Sequence, residues 1–181
     1  MLVPSLYQFF RRQLQHGFHA QGLAEPATVD YVSEMLARFA CTPAMYLIRD
    51  DDGRPIDSLV GLMIEWRRAQ GWDDAQSDAG REALVARHIG EYALFMSGLF
   101  RERLAARGQL RYYQSHGRSA YWHCADREFN PNRARVYWSL SQQFERVSTA
   151  LNHIRERQLT MDVGTAETPS PLAAFWNSSG K

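Results

Sequence analysis

The stretch LVARHIGEYALFMSGLFRERL, residues 84–104, decides the fold class. Its apolar residues recur every three or four positions within a predicted helix over 79–107. The middle of this helix, YALFMSGLF at 92–100, is apolar on nearly every side. A helix of that kind is surrounded by other helices. The stretch therefore predicts a long central helix in an all-α fold.

Helical periodicity continues on both sides of this helix. The other predicted helices cover 4–16, a stretch between Pro26 and Pro43, 55–70, 109–126 and 132–158. The sequence therefore predicts a single-domain, all-α bundle of about six helices over residues 1–159. Residues 160–181 lack periodicity and predict an irregular C-terminal tail. Its apolar island, Leu172–Trp176, either docks on the bundle or binds a partner.

The predicted last helix carries an apolar seam that steps by three and four residues over nearly three heptads. Such a seam packs either inside the bundle or against a second copy of the chain. Its members are Val136, Leu140, Phe144, Val147, Leu151 and Ile154.

Two glycines, Gly90 and Gly98, lie inside the predicted central helix. Each costs about 1 kcal/mol relative to alanine in a helix interior. Their presence indicates that another group approaches the helix closely there. A second helix is the favoured guest and a ligand is the alternative, and a true break at Gly90 would divide the long helix into two.

The segment 45–55 predicts a helical turn followed by a loop. A short strand at Tyr46–Ile48 is the alternative, which is less favoured because no segment clearly pairs with it. Asp52-Gly53 is a turn signal. The run of acids at 50–52 lacks the alternating ligand spacing of a calcium-binding loop, so we interpret it as a solvated turn.

Composition excludes several classes of protein. The chain has 181 residues, of which 45% are hydrophobic and 23% charged, so it can form a core without a disulfide or metal. No run of about 18 apolar residues predicts a membrane helix. Cys41 and Cys124 stand alone, and the N-terminus is a poor signal peptide, so we expect a soluble cytoplasmic protein. The bias to arginine over lysine is typical of GC-rich, bacterial genes.

The net charge of +1 predicts no general affinity for nucleic acid or membranes, yet the charge is unevenly distributed. Residues 45–78 carry a net charge of −4 and residues 101–135 one of +5. The basic segment interleaves arginines with aromatic residues. Arg107, Arg111 and Arg118 are the candidate contacts for an anionic partner. The alternative is a structural role, in which arginine stems cover half-buried rings.

The sequence holds no phosphate-binding glycine loop, zinc-protease helix, nucleophile elbow or Cys-x-x-Cys pair. It also lacks the Glu-x-x-His motif of di-metal bundles, so we expect neither a metal nor a cofactor. His88 and Glu91 lie three residues apart on one face of the central helix. They are either a buried polar pair or the polar groups of a ligand pocket. The walls of that pocket would be Tyr92, Phe95, Tyr121 and Trp122.

These observations favour a non-catalytic interaction or adaptor protein that binds a protein partner or a second copy of itself. A small-molecule or cofactor-binding protein, or an enzyme, with its pocket beside the central helix is the alternative. A second alternative is nucleic-acid binding through 101–135, which the small net charge does not favour. No membrane interaction is expected.

Overall fold

The computed structural model describes residues 5–23, 25–40, 42–72 and 76–164. Within these ranges the chain forms α-helices, one short 3₁₀ helix at Thr42–Tyr46 and no strand. The all-α prediction is confirmed. The α-helices are α1 (Leu6–Ala20), α2 (Pro26–Phe39), α3 (Leu59–Ala69), α4 (Ala79–Leu99), α5 (Arg101–Ala106), α6 (Leu110–Arg127) and α7 (Pro131–Gly164).

Short polar side chains begin three of these helices. Ser5 caps α1 by accepting a hydrogen bond from the Gln8 amide, and the Gln8 side chain accepts one from the Ser5 amide in return. Ser58 caps α3 by accepting a hydrogen bond from the Gly61 amide, and Asp78 caps α4 by accepting one from the Arg81 amide. These caps satisfy amides that have no partner inside their own helix.

The predicted helix over 79–107 is two helices, which corrects its length. α4 is continuous through Gly90, and the interruption lies at Phe100, whose φ of −117° and ψ of 30° are not helical. The sequence changes character at this point. Buried α4 gives way to the charged run at 101–103, in which Glu102 and Arg103 are exposed.

The glycines of the central helix are contact points with other helices, as favoured from the sequence. A Cβ on Gly90 would lie 3.0 Å from the Tyr121 ring of α6. A Cβ on Gly98 would lie 2.6 Å from Cβ of Leu151 in α7. The glycines therefore allow α6 and α7 to approach α4 closely.

α4, α6 and α7 form the centre of the bundle. α3 packs on α4, and the α1–α2 pair packs on α7, so one contiguous core runs through the bundle. The seam of α7 lies inside this core, with every member buried, and is not available to a second copy of the chain. Its members are Val136, Leu140, Phe144, Val147, Leu151 and Ile154.

The loop between the 3₁₀ helix and α3 is a tight turn, as predicted. The Asp50 carboxylate accepts hydrogen bonds from the amides of Asp52 and Arg54, and Gly53 adopts a φ of +76°. The Ile56 amide donates to the Ile48 carbonyl at 2.9 Å, which closes the turn. The first acid of the run, Asp50, therefore stabilises the turn with its own carboxylate oxygen.

α7 extends to Gly164, so the predicted tail begins five residues too early. Helical residues 160–164 continue the helix beyond the last apolar member of the seam. The rest of the predicted tail, with Leu172–Trp176, lies outside the described residues. No helix in the described part of the chain is both long and apolar enough to cross a membrane.

Candidate functional site

The polar pair predicted on the central helix lies in the core. His88 and Glu91 are each 1% exposed. His88 Nε2 lies 3.1 Å from the Met45 carbonyl oxygen. The Glu91 carboxylate accepts hydrogen bonds from the Tyr31 hydroxyl at 2.7 Å and from Arg38 at 2.8 Å. Both side chains therefore have partners from other parts of the fold.

The aromatic residues predicted as pocket walls divide into two groups. Tyr92, Phe95 and Tyr121 are buried with the polar pair. The Tyr92 hydroxyl donates to the Asp57 carbonyl at 2.9 Å, and the Tyr121 ring stacks on Tyr137. Trp122 lies apart from them on the surface and is 50% exposed. Five of the six predicted residues thus lie in the buried core.

Burial controls the protonation of this interior cluster. Desolvation lowers the pKa of His88, so its neutral form is favoured. Desolvation also raises the pKa of Tyr31 and Tyr121 well above the ordinary tyrosine value, so both keep their protons. The described residues contain no group of three histidine, cysteine or acidic side chains that could hold a metal.

A groove of about 690 Å³ runs between α6 and α7, and we call it the α6–α7 groove. Arg111 and Arg118 are seven residues apart on α6 and line it together, and Trp122 follows one turn later. The predicted pair of arginines therefore shares one face. Arg107 is exposed in the turn after α5 and is not among the lining residues, which are Arg111, Gln114, Ser115, Arg118, Ser119, Trp122, Ser141, Gln142 and Glu145.

The arginines of the α6–α7 groove are weakly neutralised. Arg118 has one acidic neighbour, Glu145, at 4.0 Å, and both side chains are largely exposed. Arg111 forms no ion pair with any described residue. An exposed pair at that distance contributes little to stability, so both guanidinium groups are free to bind an anionic partner.

An exposed apolar surface extends from Trp122 beyond the α6–α7 groove. Trp122 also borders a shallower depression of about 430 Å³ that contains Trp138 of α7. Trp138 is 50% exposed, like Trp122. Sequence reasoning did not single out Trp138, because adjacency across two helices leaves no mark on spacing.

α7 bends at the wall of the α6–α7 groove. Gln143 has a φ of −113° and a ψ of 17°, which lie outside the helical region. Its side chain donates back to the Ser139 hydroxyl at 3.3 Å. The next residue, Phe144, packs on Gly117 of α6 so closely that a Cβ there would lie 2.3 Å from the ring. The bend therefore lies next to a close contact between the two helices.

A second group of charged residues was missed by sequence reasoning. Glu82 in the first turn of α4 is buried, and its carboxylate lies 3.0 Å from His123 Nε2 and 3.5 Å from Arg127 on α6. Gln70 donates to the same carboxylate at 3.3 Å. These partners come from two other helical regions, α6 and the end of α3, so no spacing in the sequence could have indicated them.

The chain matches no protein-family model, no curated protein and no solved structure.

Proposed function

We propose that this protein is a non-catalytic interaction protein whose α6–α7 groove binds an acidic segment of a partner protein. The observation that carries the proposal is the alignment of Arg111, Arg118 and half-exposed Trp122 on one face of α6. Tryptophan and arginine are the residue types most enriched among those that dominate binding energy at protein interfaces. Charge attraction would draw the acidic segment to the arginines, and Trp122 would bury an apolar side chain.

The lining of the groove supports a binding role. Serine and glutamine side chains supply hydrogen-bond donors and acceptors along its floor. Polar side chains around an exposed tryptophan are typical of a protein interface.

A protein partner is favoured over nucleic acid because the basic segment does not form one surface. Arg127 pairs with Glu82, and Arg133 pairs with Glu128 at 2.6 Å, on a different part of α6 and α7. A phosphate backbone requires several unpaired cations along one track. In the α6–α7 groove, Arg111 has no ion pair with a described residue, and Arg118 lies 4.0 Å from Glu145.

A cytoplasmic location in a bacterial-type organism forms part of the proposal. Cys124 is a free, buried thiol, which suits a reducing compartment. The arginine bias is the support for the bacterial origin.

Fluorescence polarisation with a labelled peptide of alternating glutamate and leucine tests the proposal. Binding should weaken at least roughly tenfold when Arg111→Glu and Arg118→Glu are combined. Arg107→Glu is the matched control, because it reverses an exposed arginine outside the groove and should leave affinity nearly unchanged. Equal losses in both variants would indicate a general charge effect and contradict the proposal.

Trp122→Ala tests the hydrophobic part of the same surface. We expect a loss of about 2 kcal/mol in peptide binding, because an interface tryptophan is commonly a dominant contact. Trp72→Ala is the control, since Trp72 is an exposed tryptophan that packs on Arg67 elsewhere on the molecule. Tighter and steeply salt-dependent binding of a single-stranded oligonucleotide would favour nucleic acid instead.

A further inference from the structure

A second groove, also of about 690 Å³, lies where the start of α4 meets the end of α6 and the start of α7. We call it the α4 groove. Its volume falls in the range of small-molecule sites. Its charged lining residues comprise three arginines, three acids and a histidine, namely Arg87, Arg127, Arg133, Glu82, Asp126, Glu128 and His123.

Two of the three arginines are held by acids. Arg127 contacts the Glu82 carboxylate, which His123 and Gln70 also contact. Arg133 lies 2.6 Å from Glu128. The third acid, Asp126, is exposed at the edge and forms no ion pair with a described residue. These contacts leave the charge of the third arginine uncompensated.

That third arginine, Arg87, is half-buried and forms no ion pair with any described residue. Its neighbours Cys124 and Tyr137 do not neutralise it, because burial raises the pKa of the Cys124 thiol to about 12 and also raises the pKa of Tyr137. An arginine side chain stays charged in proteins. A partly desolvated cation without a counter-charge is costly, and an anion placed against it recovers that cost.

The remaining walls of the α4 groove are apolar. Leu84 of α4 and the buried Tyr137 ring form one part of the lining. Phe129, in the turn between α6 and α7, lines the groove although its side chain is fully exposed to solvent. A fully exposed phenylalanine in the same groove as an unpaired arginine offers an apolar contact together with a charge.

We propose that the α4 groove binds a small organic carboxylate with an aromatic or branched apolar body. The carboxylate would form a bidentate pair with Arg87, and the body would lie against Leu84, Phe129 and Tyr137. A single negative charge is preferred, because one guanidinium is unpaired and the nearby acids would repel a dianion. This site is separate from the α6–α7 groove and does not depend on the function proposed there.

Isothermal titration calorimetry with phenylacetate tests the proposal. Phenylacetate should bind saturably in the millimolar range or tighter. Phenylacetamide, which has the ring without the charge, and acetate, which has the charge without the ring, should each bind at least roughly tenfold more weakly. Inorganic phosphate should also bind more weakly. Equal affinity for phenylacetate and phenylacetamide, or no saturable binding of phenylacetate, would overturn the proposal.

Variants locate the site. Arg87→Gln should abolish phenylacetate binding while the melting temperature stays the same or rises, because the variant removes an unpaired charge. Arg111→Gln replaces an arginine of the α6–α7 groove that forms no ion pair with a described residue. This variant should bind phenylacetate like the wild type. Phe129→Ala should weaken binding several-fold without unfolding the chain, since this side chain is fully exposed. Undiminished binding by the folded Arg87→Gln variant would contradict the assignment.

Discussion

The Glu91 carboxylate shows how one side chain ties separate helices together. It lies in the interior of α4, and both its charge partner Arg38 and its hydroxyl donor Tyr31 come from α2. Sequence spacing correctly placed His88 and Glu91 on one face. It could not supply their partners, because those contacts span more than 40 residues of chain. The difference between a ligand pocket and a satisfied polar pair depends on such distant contacts.

Removing Arg38 should therefore be more harmful than its partial exposure suggests. Arg38→Gln leaves a carboxylate that is 2% exposed without its cation, and we expect the free energy of unfolding to fall by about 3 kcal/mol. Arg54→Gln is the control, since its pair with Asp52 is exposed and contributes less than about 1 kcal/mol. Urea denaturation measures both. Equal small losses would mean that Glu91 is not held by Arg38 in solution.

Histidine burial predicts how stability depends on pH. Burial lowers the pKa of His88 and His123 in the folded chain, whereas the unfolded chain keeps the ordinary value near 6.5. Below that pH the unfolded chain binds protons that the folded chain does not, so stability should fall as pH drops. Each histidine contributes a slope of up to about 1.4 kcal/mol per pH unit.

Denaturation between neutral and mildly acidic pH measures this slope. His88→Gln should flatten it, because the variant removes a buried histidine whose pKa is lowered in the folded chain. His153→Gln changes an exposed histidine on α7 and should leave the slope as it is in the wild type. A wild-type stability that rises towards acidic pH would contradict the argument.

At the scale of the helices, substitutions at glycines distinguish the cost of overpacking from the gain in helix propensity. In Gly117→Ala the new methyl group would meet Phe144 Cζ at 2.3 Å and Ala93 Cβ at 2.9 Å. Alanine favours a helix by about 1 kcal/mol over glycine, but overpacking of this kind costs about 1 to 3 kcal/mol. Since both obstacles are buried, we expect a net destabilisation.

Gly80→Ala is the matched comparison. Gly80 lies in the first turn of α4, where a Cβ would be 3.4 Å from the Asp78 carboxylate, an ordinary contact. This variant should gain up to about 1 kcal/mol in urea denaturation, because only the propensity term remains. Stabilisation by both alanines would show that α6 and α7 lie farther apart than the structure has them.

At the same scale, the sequence predicted which segments are helical better than it predicted where each helix begins and ends. Periodicity located the helical regions of the chain. The interruption at Phe100 and the bend at Gln143 left no comparable signal, because neither involves proline or glycine. Both depend on how neighbouring helices pack.

Across the whole molecule, the sequence predicted which faces are apolar but not what covers them. The α7 seam was compatible with an internal position or with a second copy, and tertiary packing against α4 and α6 decides between them. The two grooves could not be predicted for the same reason. Each is lined by helices whose separation and angle are set by side-chain contacts such as Phe144 on Gly117.

The internal seam leads to a prediction about the entire bundle. Leu140 is fully buried in this seam, so Leu140→Asp places a charge in the apolar core. We expect a loss of more than about 4 kcal/mol, a large part of the roughly 5 to 15 kcal/mol typical of a folded domain. Circular dichroism should show loss of helix at ordinary temperature. If the seam instead joined two copies, the variant would remain helical and sediment at half the wild-type mass, whereas an internal seam predicts unfolding with no such folded species.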